Sequence, residues 1–357
     1  MPNSMYQILR PLLFRLDPER VHGLTLQALR FSGAFAPLRR LLTHQFCAYS
    51  HESEIGNFSN FESGSNAKLA VEVFGLRFPN PVGLAAGYDK DGLAWRGLAT
   101  LGFGHIEVGT VTPRAQPGNP KPRVFRLPEE QAVINRMGFP GRGAEFVTQK
   151  LSVVNRPDSV VLGVNIGKNK DTPNEEAARD YLSLLEKFSP LADYLAVNVS
   201  SPNTVGLRRL QARDQLEDLL KQLAQARLRS PVFRPILVKL APDLTEMELD
   251  DALAAITTSG MDGVIATNTT ISREGLHSPL GQETGGLSGN PLKSRSQEMV
   301  KLIYQKTSGR LPIIGVGGIM NPQDAKMMLD SGATLIQLYT GLIYAGPGLV
   351  KQILQYL

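Results

Sequence analysis

Eight short apolar runs in this sequence end in groups that can bind or react. Lys90 follows the run 82–86, Thr110 follows 105–109, and Asn165 closes 160–165. Asn198 closes 194–198 with Ser201 and Asn203 just beyond, and Lys239 ends 236–239. Thr267 ends 263–267 beside Asn268, Gly317 and Gly318 follow 312–316, and Tyr339 ends 335–339 beside Thr340. A loop after the second run delivers Asn135, Arg136, Met137, Gly138 and Phe139. The set is rich in amides and lysines and poor in carboxylates and histidines. A metal hydrolase needs His, Asp or Glu ligands, and a glycosidase needs two facing carboxylates. Here Asp89 is the main acid near a run end and His105 the one histidine inside a run, so neither chemistry is supported and no metal is expected.

Asn and Lys side chains suit a planar, anionic ligand whose edge alternates donors and acceptors. The last two runs end in Gly315-Val-Gly-Gly318 and Tyr339-Thr-Gly341, and such loops before a helix commonly hold a phosphate. An amide-lined pocket with a phosphate end favours a cofactor that brings its own chemistry, and FMN fits both features. Two other readings use the same groups. A Schiff-base aldolase would employ Lys239 or Lys90, and a phosphate-binding barrel would bind without turnover.

The groups need a scaffold that collects strand ends. Near-continuous apolar runs alternating with amphipathic stretches indicate a parallel sheet covered on both faces. Eight units in the 279 residues from Pro79 to Leu357 match an α/β fold of the (β/α)8 TIM-barrel kind, which takes about 250 residues. A doubly wound sheet is disfavoured, because no Gly-x-Gly-x-x-Gly follows the first run.

Composition fits an ordinary folded chain of 357 residues with 42% hydrophobic and 20% charged residues. The lone Cys47 indicates a reducing compartment or a surface facing one. The net charge of +5 is modest and does not suggest nucleic acid. Residues 1–44 hold six Arg against Asp17 and Glu19, which is +4, so most of the excess sits in this leader. Leu9, Leu12, Leu13 and Leu16 recur at helical spacing, and Asp17-Pro18-Glu19 reads as a cap opening a second helix that runs to about Phe31. The expectation is a pair of amphipathic helices with no bilayer span and no signal peptide, since Arg10 and Arg15 interrupt the apolar stretch. Such a pair packs on its own domain or lies in a membrane interface, drawn by anionic lipid. The polar stretch 45–68 reads as a linker, leaving 69–357 for the barrel.

Leu16-Asp-Pro-Glu-Arg20, Gly83-Leu-Ala-Ala-Gly87 with Asp89-Lys-Asp-Gly92, Gly109-Thr-Val-Thr-Pro113, Asn135-Arg-Met-Gly-Phe139, Asn165-Ile-Gly-Lys-Asn-Lys-Asp171, Asn198-Val-Ser-Ser-Pro-Asn203, Gly285-Gly-Leu-Ser-Gly289 and Gly315-Val-Gly-Gly318 follow one another in a specific order. In these segments, over nearly the whole chain, the sequence resembles dihydroorotate dehydrogenases of the membrane-associated, quinone-reducing class. The resemblance implies oxidation of dihydroorotate to orotate in pyrimidine synthesis, with FMN taking the hydride and a membrane quinone taking the electrons. It implies Ser201 as the base at C5, where the soluble classes place Cys. It implies that Lys90, Asn135, Arg136, Met137, Gly138, Phe139, Asn198, Asn203, Asn268 and Thr269 hold the substrate, Lys90 pairing its carboxylate. FMN would be held by Ala86, Gly87, Tyr88, Asp89, Lys90, Thr110, Asn165, Asn198, Lys239, Thr267, Gly289, Gly318, Tyr339 and Thr340. His22, Arg126 and Tyr339 would line a quinone tunnel, and the leader would seat a monomer on the cytoplasmic side of the cell membrane. Tyr88 and Thr340 depart mildly from the usual residues, and the 46–68 stretch is longer than usual.

Overall fold

The computed structural model describes residues 2–48, 69–152, 160–204 and 206–357. Most of the expected 45–68 linker lies outside the described residues.

Eight parallel strands close into a barrel in chain order: β1 (Val82–Leu84), β2 (His105–Val111), β3 (Val161–Ile166), β4 (Tyr194–Asn198), β5 (Ile236–Leu240), β6 (Gly263–Ala266), β7 (Ile313–Val316) and β8 (Leu335–Leu338). All eight coincide with the expected runs to within two residues at either end. Each is buried along its whole length, which is why they read as apolar runs without alternation. Helices between the strands bury their apolar faces on the outside, as in Ala177–Phe188, where Tyr181, Leu184, Leu185 and Phe188 face the sheet.

Two additions to the barrel have no counterpart in the sequence reading. A hairpin of Val71–Val73 and Leu76–Phe78 contributes the fully buried Phe78 to the core inside the barrel. A three-stranded antiparallel sheet joins Val124–Leu127 and Ala132–Asn135 to Gly286–Gly289, tying the loop after β2 to the loop after β6.

The leader forms three helices, not two: α1 (Pro2–Phe14), α2 (Pro18–Ala34) and α3 (Ala36–Phe46). The cap expected at Asp17 is present, its carboxylate accepting from the Arg20 backbone N–H at 2.9 Å. The helix does not stop near Phe31, because Ser32 and Gly33 serve packing and not termination. A Cβ on Gly33 would lie 2.6 Å from the Gly97 nitrogen, and one on Gly97 would lie 1.9 Å from the Leu29 carbonyl oxygen. These two glycines let α2 rest directly on the helix Trp95–Ala99. Gln45 and Phe46, expected in the linker, belong to α3, and Phe46 is buried against the barrel.

Candidate active site

One cavity of about 640 Å³ runs from the carboxyl ends of the barrel strands outward between α1, α2 and the three-stranded sheet. Its volume lies in the range of small-molecule sites. Strand ends supply the floor: Thr110 from β2, Asn198 from β4, Lys239 from β5, Gln337 from β8, and Thr267 just past β6. Gly318 and Thr340 close one side. Gly318 has φ +70°, and a Cβ there would lie 2.3 Å from the Lys293 Cα, so only glycine allows that wall to pack.

On another side stand Lys90, Asn135, Met137, Gly138, Phe139, Ser201, Asn203, Asn268 and Thr269. Their polar atoms interlock. Asn203 donates through Nδ2 to Asn135 Oδ1 at 3.1 Å and through its backbone N–H to Ser201 Oγ at 3.2 Å. Asn268 donates to Asn198 Oδ1 at 3.2 Å and to Ser200 Oγ at 3.0 Å. Asn203 Oδ1 is buried without a hydrogen-bond partner, an acceptor that a ligand N–H would satisfy. Gln337 Oε1 stands in the same condition on the floor.

Two ammonium groups face this space. Burial pulls the Lys90 pKa down to about 8, against the opposing pull of Asp91 and Glu19, and the same cause lowers Lys239, against Glu107. Deep cations with depressed pKa values attract an anion, which replaces the lost hydration.

Toward the leader the cavity is lined by Leu13, Phe14, His22, Arg126 and Tyr339. The His22 ring meets Tyr88 edge-on at 4.9 Å, and Tyr88 meets Tyr339 at 5.5 Å. Burial holds the His22 imidazole near a pKa of about 4, so the ring is neutral at physiological pH. Arg126 lies 4.6 Å over the Phe14 ring and donates to the carbonyls of Leu13 and Leu16 at the end of α1.

Three residues expected at the site stand behind its wall. Asp89 accepts the backbone N–H groups of Leu93 and Ala94 at 2.9 and 2.7 Å, which shapes the 87–94 turn. Asn165 reaches the site through the Thr110 hydroxyl. Arg136 pairs with Glu283 at 2.6 Å and stacks on Phe125, fastening its loop from outside. The remaining expected residues all line the cavity. Sequence reasoning missed Glu107, a fully buried acid below the floor, and Arg208, which binds the carbonyls of Ser200 at 3.0 Å and Thr269 at 2.9 Å. Glu107 is a lone acid inside an apolar run, which is a readable signal; Arg208 carries none.

Comparison with known proteins places the chain in a family. Residues 68–357 match the family described as dihydroorotate dehydrogenase. The dihydroorotate dehydrogenase (quinone) of Roseiflexus sp. (strain RS-1) is 49% identical over 352 residues, covering 99% of this chain and 93% of that protein. The protein of the same name from Acidithiobacillus ferrooxidans is 48% identical, covering 99% and 94%. Among solved structures, the DHODH of Eimeria tenella in complex with ferulenol superimposes with a TM-score of 0.81 at 38% identity, covering 94% of this chain and 89% of that one. Family match, relatives and barrel geometry converge: the chain belongs to the dihydroorotate dehydrogenase family.

Proposed function

We propose that this chain oxidises dihydroorotate to orotate on bound FMN and passes the electrons to a quinone drawn from a membrane, in pyrimidine biosynthesis. The observation that carries the reading is the continuity of the cavity, which joins the Lys90, Ser201 and Asn203 side, the Lys239 and Thr110 floor, and the opening beside α1 and α2. FMN supplies a hydride acceptor that a quinone can reoxidise. Its fit rests on the amide and hydroxyl floor, the unpartnered Gln337 acceptor, the buried Lys239 and the glycine wall at Gly318.

The chain's own groups divide the work. Lys90 pairs with the substrate carboxylate, and Asn135, Asn203 and Asn268 read the amide edges of its ring. Ser201 Oγ takes the proton from C5 and releases its own hydroxyl proton toward solvent, as the C6 hydrogen leaves with its electron pair for the FMN that would occupy the floor. A serine hydroxyl is a weak base, so positioning has to carry much of the rate. The Asn203 N–H that donates to Ser201 Oγ fixes where that oxygen stands. Lys239 places an ammonium where negative charge gathers on a reduced cofactor.

The leader presents Met5, Ile8, Leu9, Leu12, Leu16, Leu24, Phe31, Phe35 and Leu41 to solvent, Ile8 being 73% exposed. So much exposed apolar surface in 46 residues marks an interaction face, and with the leader's arginines it suits peripheral docking on an anionic cytoplasmic membrane surface. No described helix is long and apolar enough to cross a membrane. We take the working unit to be a monomer. The test is to release the cofactor by heat and to assay dihydroorotate-dependent reduction of a ubiquinone analogue. FMN and steady turnover are expected; a flavin-free protein or one inert toward quinone overturns the reading.

A further inference from the structure

Glu107 lies midway along β2 inside the barrel, fully buried and below the cavity floor. Three donors converge on it. Asn165 Nδ2 donates to Oε1 at 2.8 Å, while the Tyr194 hydroxyl and Gln337 Nε2 donate to Oε2 at 3.0 and 2.9 Å. Space for this arrangement is made by Gly163, where a Cβ would lie 2.2 Å from the Tyr194 ring.

A carboxylate only accepts, and that fixes the direction of everything above it. Asn165 has to turn its NH2 toward Glu107, which points its carbonyl at Thr110, whose hydroxyl donates to it at 2.5 Å. The Thr110 oxygen is then the acceptor for Asn198 Nδ2 at 2.9 Å. That leaves Asn198 Oδ1 to accept from Asn268 Nδ2 and the Ser200 hydroxyl, each at 3.2 Å. Across the barrel, Glu107 is also the acid whose field acts on Lys239, opposing the effect of its burial.

We propose that Glu107 is a positioning residue, an acceptor-only anchor that sets the donor–acceptor direction of the relay from the floor to the substrate amides. Neither Glu107 nor Tyr194 lines the cavity, so the effect is exerted through others. The inference deepens the proposed function and rests on it for its ligand and reporter.

The test compares holoenzymes carrying Glu107→Gln and Glu107→Asp. Gln is the closer match in shape but adds an NH2 that can face Asn165 and let the relay reverse. Asp is one methylene shorter but still only accepts. Orotate affinity is read from the perturbed flavin spectrum, and the flavin midpoint potential from redox titration. Glu107→Gln is expected to weaken orotate roughly tenfold or more, the effect of one buried amide left mispaired, and to shift the potential. Glu107→Asp should lie nearer the wild type in both. A Gln variant matching the wild type, or an Asp variant worse than Gln in both readouts, overturns the proposal, since a packing role ranks them that way. If Glu107→Gln does not fold, Thr110→Ser and Thr110→Val carry the test: Ser keeps the relay hydroxyl and the affinity, Val loses it, and equal affinities overturn the proposal. A wild type that shows no saturable orotate shift counts against the proposed activity instead, and the potentials then rank the Glu107 variants without orotate.

Discussion

Lys90 offers the sharpest quantitative handle on the site. Burial brings its pKa down to about 8 in the ligand-free protein. If the substrate carboxylate requires the ammonium form, the charged fraction is about nine-tenths at pH 7 and about one-tenth at pH 9. The apparent dissociation constant for orotate should therefore rise about tenfold over those two pH units. The sign follows from binding: an anion favours the protonated lysine, so affinity is full below pH 8 and is lost as pH rises through it. Replacing Lys90 by Met removes a charge-assisted pair in a deep site, a loss of about 2–4 kcal/mol, or roughly 30- to 1,000-fold in affinity. The assay is a spectral titration of the oxidised holoenzyme with orotate from pH 6.5 to 9 at constant ionic strength. The Lys90→Met variant, titrated in parallel, removes any contribution from ionisation of the ligand. A wild-type affinity that is flat across this range, or a Met variant with the same slope, would refute the pairing.

Three further outcomes are expected. Ser201→Ala should retain cofactor and orotate binding while slowing flavin reduction roughly 10²- to 10⁴-fold in anaerobic stopped flow; near-normal reduction removes Ser201 from the mechanism. Deleting residues 1–44 takes away α1, α2 and most of α3, so reduction by dihydroorotate should persist while reoxidation by quinone falls at least tenfold on the order of magnitude expected for a lost binding site; unchanged quinone turnover would sink the role of the opening. His105 is fully buried with neither ring nitrogen partnered, and burial holds its pKa near about 3. Because the unfolded chain binds that proton from about pH 6.5 downward and the folded one does not, the native state should lose up to about 4 kcal/mol as pH falls from 6.5 to 3. A His105→Phe variant should lack that part of the acid sensitivity, and parallel denaturant curves showing equal losses contradict it.

The barrel was legible because parallel strands covered on both faces leave uninterrupted apolar runs with polar ends, and those ends are the site. What escaped were features whose meaning lies in a distant partner. The helix expected to run to about Phe31 continues through Gly33, which packs against the Gly97 nitrogen, and α3, with Pro37 in its first turn, was not expected at all. The sheet strand Gly286–Gly289 is Gly-Leu-Ser-Gly, with no strand preference of its own, and becomes a strand only by pairing with Ala132–Asn135. Arg136 was placed at the substrate by its neighbours in sequence, whereas Glu283 holds it outside the cavity. Glu107 was visible as an acid in an apolar run, but its three donors come from β3, β4 and β8. Spacing along the chain locates strand ends well and says little about which buried groups stand behind them.

The most direct measurement is the visible spectrum of the purified protein under argon, before and after dihydroorotate and again after a quinone analogue. Flavin bands that bleach with dihydroorotate and return with quinone are the predicted result. Flavin bands unmoved by dihydroorotate, or bleached bands that quinone does not restore, would contradict the claim that one cavity serves both half-reactions.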